Sequence, residues 1–418
     1  MSYNLIDEAW IPVRRRSGAG DWIPPWRVSD SAQEGGDPFV SIDASRADFN
    51  GALIQFLIGL LQTAMAPKNR REWRMRLAQP PSPEELRESF ASIVHAFELD
   101  GDGPRFMQDL ELRPEDGEPK GINLLLIDAP GAQTLKKNKD HFVKRGRVGH
   151  ACPACAATAL FTLQTFAPSG GSGHRTSLRG GGPMTTLSTG ANLWQDCWLN
   201  VLLESDVLNL FGPTVLGEDT IFPWLSRTRT SEKTGVPTVP GDAHPLQMYW
   251  GMPRRIRLLP PADADGPCEI CGRVDPHLYE HYVTLKYGTN YEGAWLHPLT
   301  PYSYGKEQQP NPGKGQPGGI TYRHWVGLVQ SDTENSRRPA QAVLALRQVH
   351  ASWPELEQVL NGEPRMWAFA YDMDNMKARC WYEGRLPMPR VDPAVRADHE
   401  EHVDRMVRCA VHVANTLR

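Results

Sequence analysis

Four cysteines stand in two Cys-x-x-Cys turns, Cys152 and Cys155 in "CPAC" and Cys268 and Cys271 in "CEIC". Two such turns supply the four thiolates of a tetrahedral Zn2+ site of the structural kind, because four protein ligands leave no position for a water. More than a hundred residues separate the pairs, so the site would staple two distant segments rather than close a compact ribbon. A redox dithiol and unmetallated thiols are the competing readings of the same residues. The other three cysteines, Cys197, Cys380 and Cys409, are isolated and read as small apolar side chains of the core.

Other residues offer weaker chemistry. The stretch 167–186, "APSGGSGHRTSLRGGGPMTT", is rich in glycine. It lacks the spacing of a phosphate-binding P-loop or a dinucleotide fingerprint. Glycines there suit either a flexible loop or close backbone approach to a ligand surface such as a DNA minor groove. Lys286 stands among Tyr282, Tyr287 and Tyr291, a basic residue with aromatics that suits nucleic-acid contact but equally a solvated strand. Asp372 and Asp374 in "YDMDNMK" admit a two-carboxylate metal site, or a polar turn. A zinc-stapled metal-dependent nuclease is therefore the alternative function. "RTSLRG" is not a nucleophile elbow. The densest positive charge, Lys136, Lys137, Lys139, Lys144, Arg145 and Arg147 around Phe142 and Val143, runs directly into the first cysteine pair. The chain as a whole carries a net charge of -4, so nucleic-acid binding would need local patches rather than a global field.

These groups must be positioned by a chain of 418 residues, long enough for several domains or one large body with an appendage. Apolar residues are 40% and charged residues 22%, which supports a sizeable core. "NLIDEAWIPV" reads as a strand, and 52–67 as a buried helix capped by Asp48 or Asn50. Ser82, Pro83 and Glu85 spell a helix start with a capping box, followed by Phe90, Ile93, Val94 and Phe97 on one face. "INLLLID" is a strand candidate, Pro153 opens a helix at the first cysteine pair, and "NVLLESDVLNLFG" is a helix. "RRIRLLP" reads as a strand, Pro339 starts a further helix, and 305–319 is a flexible loop. "RMWAFAYDMDNMKARCWYEG" reads as two strands joined by a tight turn. A long amphipathic helix closes the chain, its stripe running Val395, His399, Val403, Met406, Val407, Ala410, Val411 and Leu417. The N-terminus has no signal-peptide core, and the most apolar run is too short for a bilayer, so a cytoplasmic protein without a membrane partner is expected.

Taken in order, "NLIDEAWIPVR", "CPACAATALF", "APSGGSGHRTSLRGGGPMTT", "CEICG" and "WLHP" at 295–298 resemble the CasA family, the large subunit of the type I-E CRISPR Cascade complex, over residues 4–418. The resemblance implies an α+β fold: a mixed α/β DNA-recognition body with a structural zinc site over 1–388, then the first helix of a C-terminal four-helix bundle over 389–418. It implies a non-enzymatic subunit that recognises the protospacer-adjacent motif (PAM) on double-stranded DNA, helps open the duplex and recruits a helicase-nuclease. By position, the family's glycine loop falls on Ser169, Gly170, Gly171, Ser172 and Gly173. Its lysine finger falls on Lys286, fifteen residues after Cys271. Its wedge falls on Asn375 or the adjacent Asp374. The basic arm with Phe142 would contact other subunits near the crRNA, or the DNA.

Overall fold

The computed structural model describes residues 2–30, 36–131, 135–138, 146–171, 173–210, 217–232, 236–305, 309–374 and 377–416. Its core is organised around the helix Ala47–Ala64, which is buried along almost its whole length. Continuous apolar sequence without glycine clusters or internal proline allows that helix, and Pro67 follows its end. Phe56, at its middle, meets Trp10, Phe97, Phe106, Phe161 and Trp250 edge-on, with ring centroids 5.1–5.8 Å apart. Each such side chain contributes roughly 1.5–3 kcal/mol by leaving water. The expected caps do other work. The helix starts after Arg46, and Asp48 accepts from Tyr371 Oη at 2.6 Å while Asn50 accepts from the Ala44 N–H at 2.8 Å. Asp48 thus binds a distant strand as well as the adjacent Arg46, and Asn50 ties down the chain just before the helix, so neither is its N-cap.

Ser82 and Glu85 do form the reciprocal capping box that opens Pro83–Phe90, at 3.2 and 2.7 Å. The face continues through a 3-10 turn, Val94–Phe97, with Phe90, Ile93 and Phe97 buried. "NLIDEAWIPV" becomes the strand Ile11–Arg15, the middle of a three-stranded sheet with Gly20–Ile23 and Phe39–Ile42. "INLLLID" is not a strand. After the two-residue strand Lys120–Gly121 it turns into the 3-10 segment Ile122–Leu125, which buries Ile122 and Leu125 together; strand alternation would put one of them on each face. "NVLLESDVLNLFG" is helical only over Glu204–Leu208 among the described residues, and the helix after Pro339 begins at Gln341.

The longest sheet element is a hairpin, Arg365–Asp374 against Lys377–Pro387, with a bulge at Asp372/Met373. Its first strand also pairs with the fully buried strand Thr185–Thr189. Cys197 is buried as expected, whereas Cys380 and Cys409 are exposed. Cys380 lies on the edge strand of its sheet and Cys409 on the exposed side of the terminal helix.

The terminal helix, Arg396–Thr416, docks on the body through Val403 and Val407. Arg347 pairs with Glu400 at 3.0 Å and Arg408 with Glu334 at 2.5 Å. His399, Ala410 and Val411 are half-buried, whereas Val395 and Met406 face outward, Met406 being 72% exposed; Leu417 lies outside the described residues. Among the described residues no helix is long and apolar enough to cross a membrane.

Candidate metal centre and nucleic-acid interface

One helix joins the two sites. Pro153–Phe166 begins at Cys152, its N-cap, with Pro153 at the first helical position where a missing N–H costs nothing. Its fourteen residues span about 21 Å at the helical rise per residue. The glycine-rich segment leaves its far end. A second path runs beside it. The hairpin Ala262–Pro267/Val274–Leu278 carries Cys268 and Cys271 in its turn, and the next strand, His281–Leu285, ends at Lys286. Each path therefore carries a cysteine pair at one end and an expected DNA-contact residue at the other.

At the first end the four Sγ atoms lie within 4.8 Å of one another, and Cys152 Sγ is 3.8 Å from Cys271 Sγ. An ideal zinc–thiolate tetrahedron has S···S edges of about 3.8 Å, from bonds of about 2.3 Å. The four thiols could hold one metal ion. All are free of disulfides. Cys268 and Cys271 are pushed well down by hydrogen bonds with Cys152 and then Cys155, while Cys155 is pushed up by its contacts with Cys152, Cys268 and Cys271. Four adjacent thiols cannot all ionise unaided; a cation removes that conflict, and the helix N-terminus favours the anionic form. Backbone pairing holds the two segments in register: the Ala151 N–H donates to the Tyr279 carbonyl at 3.0 Å, and the Tyr279 N–H donates to the Ala151 carbonyl at 2.8 Å. Glu269 accepts from the Gly149 and His150 N–H groups.

At the second end the 169–173 segment and Lys286 meet. The Tyr287 N–H donates to the Gly173 carbonyl at 2.7 Å. A Cβ on Gly173 would lie 2.9 Å from Lys286 Cβ, and Gly173 has φ +83°. A Cβ on Gly170 would collide with the Arg254 guanidinium. These two glycines are thus needed to pack the loop onto its own base. Gly171 alone, at φ +90° and with nothing within 4 Å of a Cβ, presents open backbone outward. Lys286 is exposed; Tyr282 is buried, and Tyr291 turns inward to accept from the Met252 N–H at 3.0 Å, so the expected aromatic setting around the lysine reduces to Tyr287.

The hairpin joins the same face. Gly182 packs against Met373 and the Tyr371 carbonyl, and Gly315 bridges to Asp372. The segment 305–319, expected to be a flexible loop, is in this way partly built into the body. Asp372, 3% exposed, receives Arg379 on both oxygens at 2.8 and 3.1 Å, and Arg379 also reaches Asp374 at 3.5 Å. A guanidinium there takes the sites that a catalytic cation would need, which weighs against the nuclease alternative. The Asp372–Arg379 pairing was not legible because the bulge sets their register. Of the basic arm, Lys136, Lys137 and Arg147 are exposed. Lys139, Phe142, Val143, Lys144 and Arg145 lie outside the described residues, as do Ser172 and Asn375. Arg254 and Lys120 were missed; the loop folds back onto them, and only its tertiary path reveals this.

Together these features define a mixed α/β protein with a cationic, glycine-lined face and a four-cysteine cluster that could hold a metal ion. The family model described as CRISPR-associated protein Cse1 matches residues 4–418, and the chain belongs to that family. Its fold is similar to that of CasA (Cse1) from Thermus thermophilus, with a TM-score of 0.71 and 17% identity, covering 99% of this chain and 81% of that one. Cse1 from Acidimicrobium ferrooxidans gives 0.64 and 20%, covering 96% and 75%. A chain in a structure titled CRISPR RNA-guided surveillance complex gives 0.63 and 17%, covering 95% and 78%.

Proposed function

We propose that this chain is the non-catalytic large subunit of a crRNA-guided Cascade surveillance complex, acting in the cytoplasm. It reads the PAM on double-stranded DNA through 169–173 and Lys286, helps open the duplex with the hairpin tip at Asp374 and Asn375, and offers a landing surface to a helicase-nuclease. In such complexes RNA pairing reads the target and protein reads only a short flanking motif. Minor-groove readout is degenerate, so backbone approach at Gly171 counts alongside base-edge contacts. The basic arm, Lys136 to Arg147 with Phe142, reaches toward the crRNA-bearing subunits or the DNA. Cys152, Cys155, Cys268 and Cys271 hold Zn2+ as a structural ion. Bound there, the ion cross-links the two segments and supplies no reactive position.

The observation that carries this reading is the meeting of the glycine loop, Lys286 and the hairpin on one face, through the Tyr287–Gly173 hydrogen bond and the Gly182–Met373 contact. The test is Lys286→Ala in the assembled complex, titrated against a PAM-containing duplex by gel shift. Affinity is expected to fall; unchanged binding would remove Lys286 from the site. Asn375→Ala is expected to slow R-loop opening more than initial binding, because a wedge replaces base stacking worth a few kcal/mol per step. Equal loss in both assays would argue against a wedge.

A further inference from the structure

Behind the loop lies positive charge with no matching acid. Arg254 precedes the strand Arg255–Leu258 and is held through its backbone, exchanging 3.0 Å hydrogen bonds with the side chain of Gln164. Its guanidinium runs beneath the loop, donates to the Pro168 carbonyl and lies against Gly170. Its Nε is buried without a partner among the described residues. Lys120, on the strand Lys120–Gly121, stands opposite Tyr282 on the strand that ends at Lys286. Among the described residues no carboxylate comes within ion-pair distance of Arg254, Lys120 or Lys286.

The neighbouring groups report the same imbalance. Burial pushes Arg254 down to about 10; the Tyr282 phenol pulls weakly the other way, and no carboxylate does. His174, whose N–H donates to the Gly171 carbonyl at 3.2 Å, is pushed down to about 4 by burial, then by Arg254, Lys120 and Lys286. All three cations therefore act on one point inside the loop. The adjacent Arg255 makes the contrast: it is neutralised by Asp109 at 2.5 Å. A half-buried cation left without a counter-charge is costly, and an arriving anion recovers that cost.

Resting on the DNA-binding reading above, we propose that Arg254 and Lys120 form, with Lys286, a carboxylate-free cationic floor under the 169–173 loop that receives a backbone phosphate of the bound duplex. The site contributes affinity without sequence information, because phosphates are the same at every base pair. Lys286 and the loop can then read the groove from a register that the phosphate fixes.

The test uses the assembled complex and titrates PAM-containing and PAM-lacking duplexes over a range of salt. Lys120→Gln and Arg254→Gln are each expected to flatten the log–log salt dependence by about one, the value for one lost phosphate contact. They should weaken both duplexes by the same factor. Wild-type slopes for both variants, with a reduced slope for Lys286→Ala, would overturn this inference and leave the DNA-binding reading standing. A complex that binds neither duplex would overturn both. Should Arg254→Gln fail to fold, Lys120→Gln, at a half-buried position, decides: a wild-type slope there sinks the proposal.

Discussion

The two ends of the helix Pro153–Phe166 solve opposite problems. At its N-terminus the chain closes: four sulfurs converge within 4.8 Å, where they could hold one metal ion, and backbone hydrogen bonds tie Ala151 to Tyr279. At its C-terminus the chain stays open: the loop is pinned from behind by Arg254 and Tyr287, while Gly171 and Lys286 face outward with capacity to spare. Groups that satisfy one another contribute stability; groups held in place but unsatisfied contribute binding. The closed end also sets the geometry of the open one, because both strands of the loop's support, the helix and the His281–Leu285 path, start from the cysteine turns.

The largest test of this contrast is at the closed end. Cys155→Ser, or removal of metal with a chelator, is expected to destabilise the body by several kcal/mol, on the scale of the ~10–16 kcal/mol by which zinc stabilises isolated finger peptides. Thermal melts should show a large drop, and duplex binding by the complex should fall with it. One zinc per chain by mass spectrometry is expected in fresh protein, and none would break the comparison outright. Gly170→Ala comes next. It displaces the Arg254 guanidinium and loosens the loop on its base, so binding should fall strongly while the melting temperature falls less. If stability falls as far as binding, the open end is structural too. Gly171→Ala should act more mildly: a side chain at φ +90° costs roughly 1–2 kcal/mol of loop strain, and there is nothing for its Cβ to strike except a ligand.

The smallest effect is in the pH dependence. His174 titrates near 4 in the folded protein, below the usual histidine value of about 6.5. Between those values the unfolded chain takes up a proton that the folded chain does not. Stability therefore falls on acidification through that window and is fully present above it. His174→Gln should flatten this part of a plot of melting temperature against pH. An unchanged slope would mean that neither burial nor the cations beneath the loop hold His174 down.

Much of this was readable residue by residue. The capping box at Ser82, the helix beginning at Pro153, the long hairpin after Arg365 and both cysteine turns follow from local rules of capping, periodicity and spacing. The errors were equally physical. Asp48 and Asn50 have the chemistry of caps but found better partners in Tyr371 and Ala44. "INLLLID" has the composition of a strand but buries its side chains as a turn. The terminal helix showed its stripe, but not that Val403 and Val407 would pack on the body while Val395 and Met406 stayed exposed.

The sequence by itself determined which residues carry chemistry, since four thiols in paired turns and glycines in a loop are local properties. It also determined the family, through motifs kept in order. Only the tertiary structure decided what those residues face. That a Cβ at Gly170 or Gly173 would strike packed side chains while one at Gly171 would meet open space depends on Arg254 and Lys286, which approach from segments roughly a hundred residues away along the chain. Whether a charge is spent or spare is a property of its neighbours in space, and no spacing along the chain encodes it: Arg379 is consumed by Asp372, and Arg254 is not.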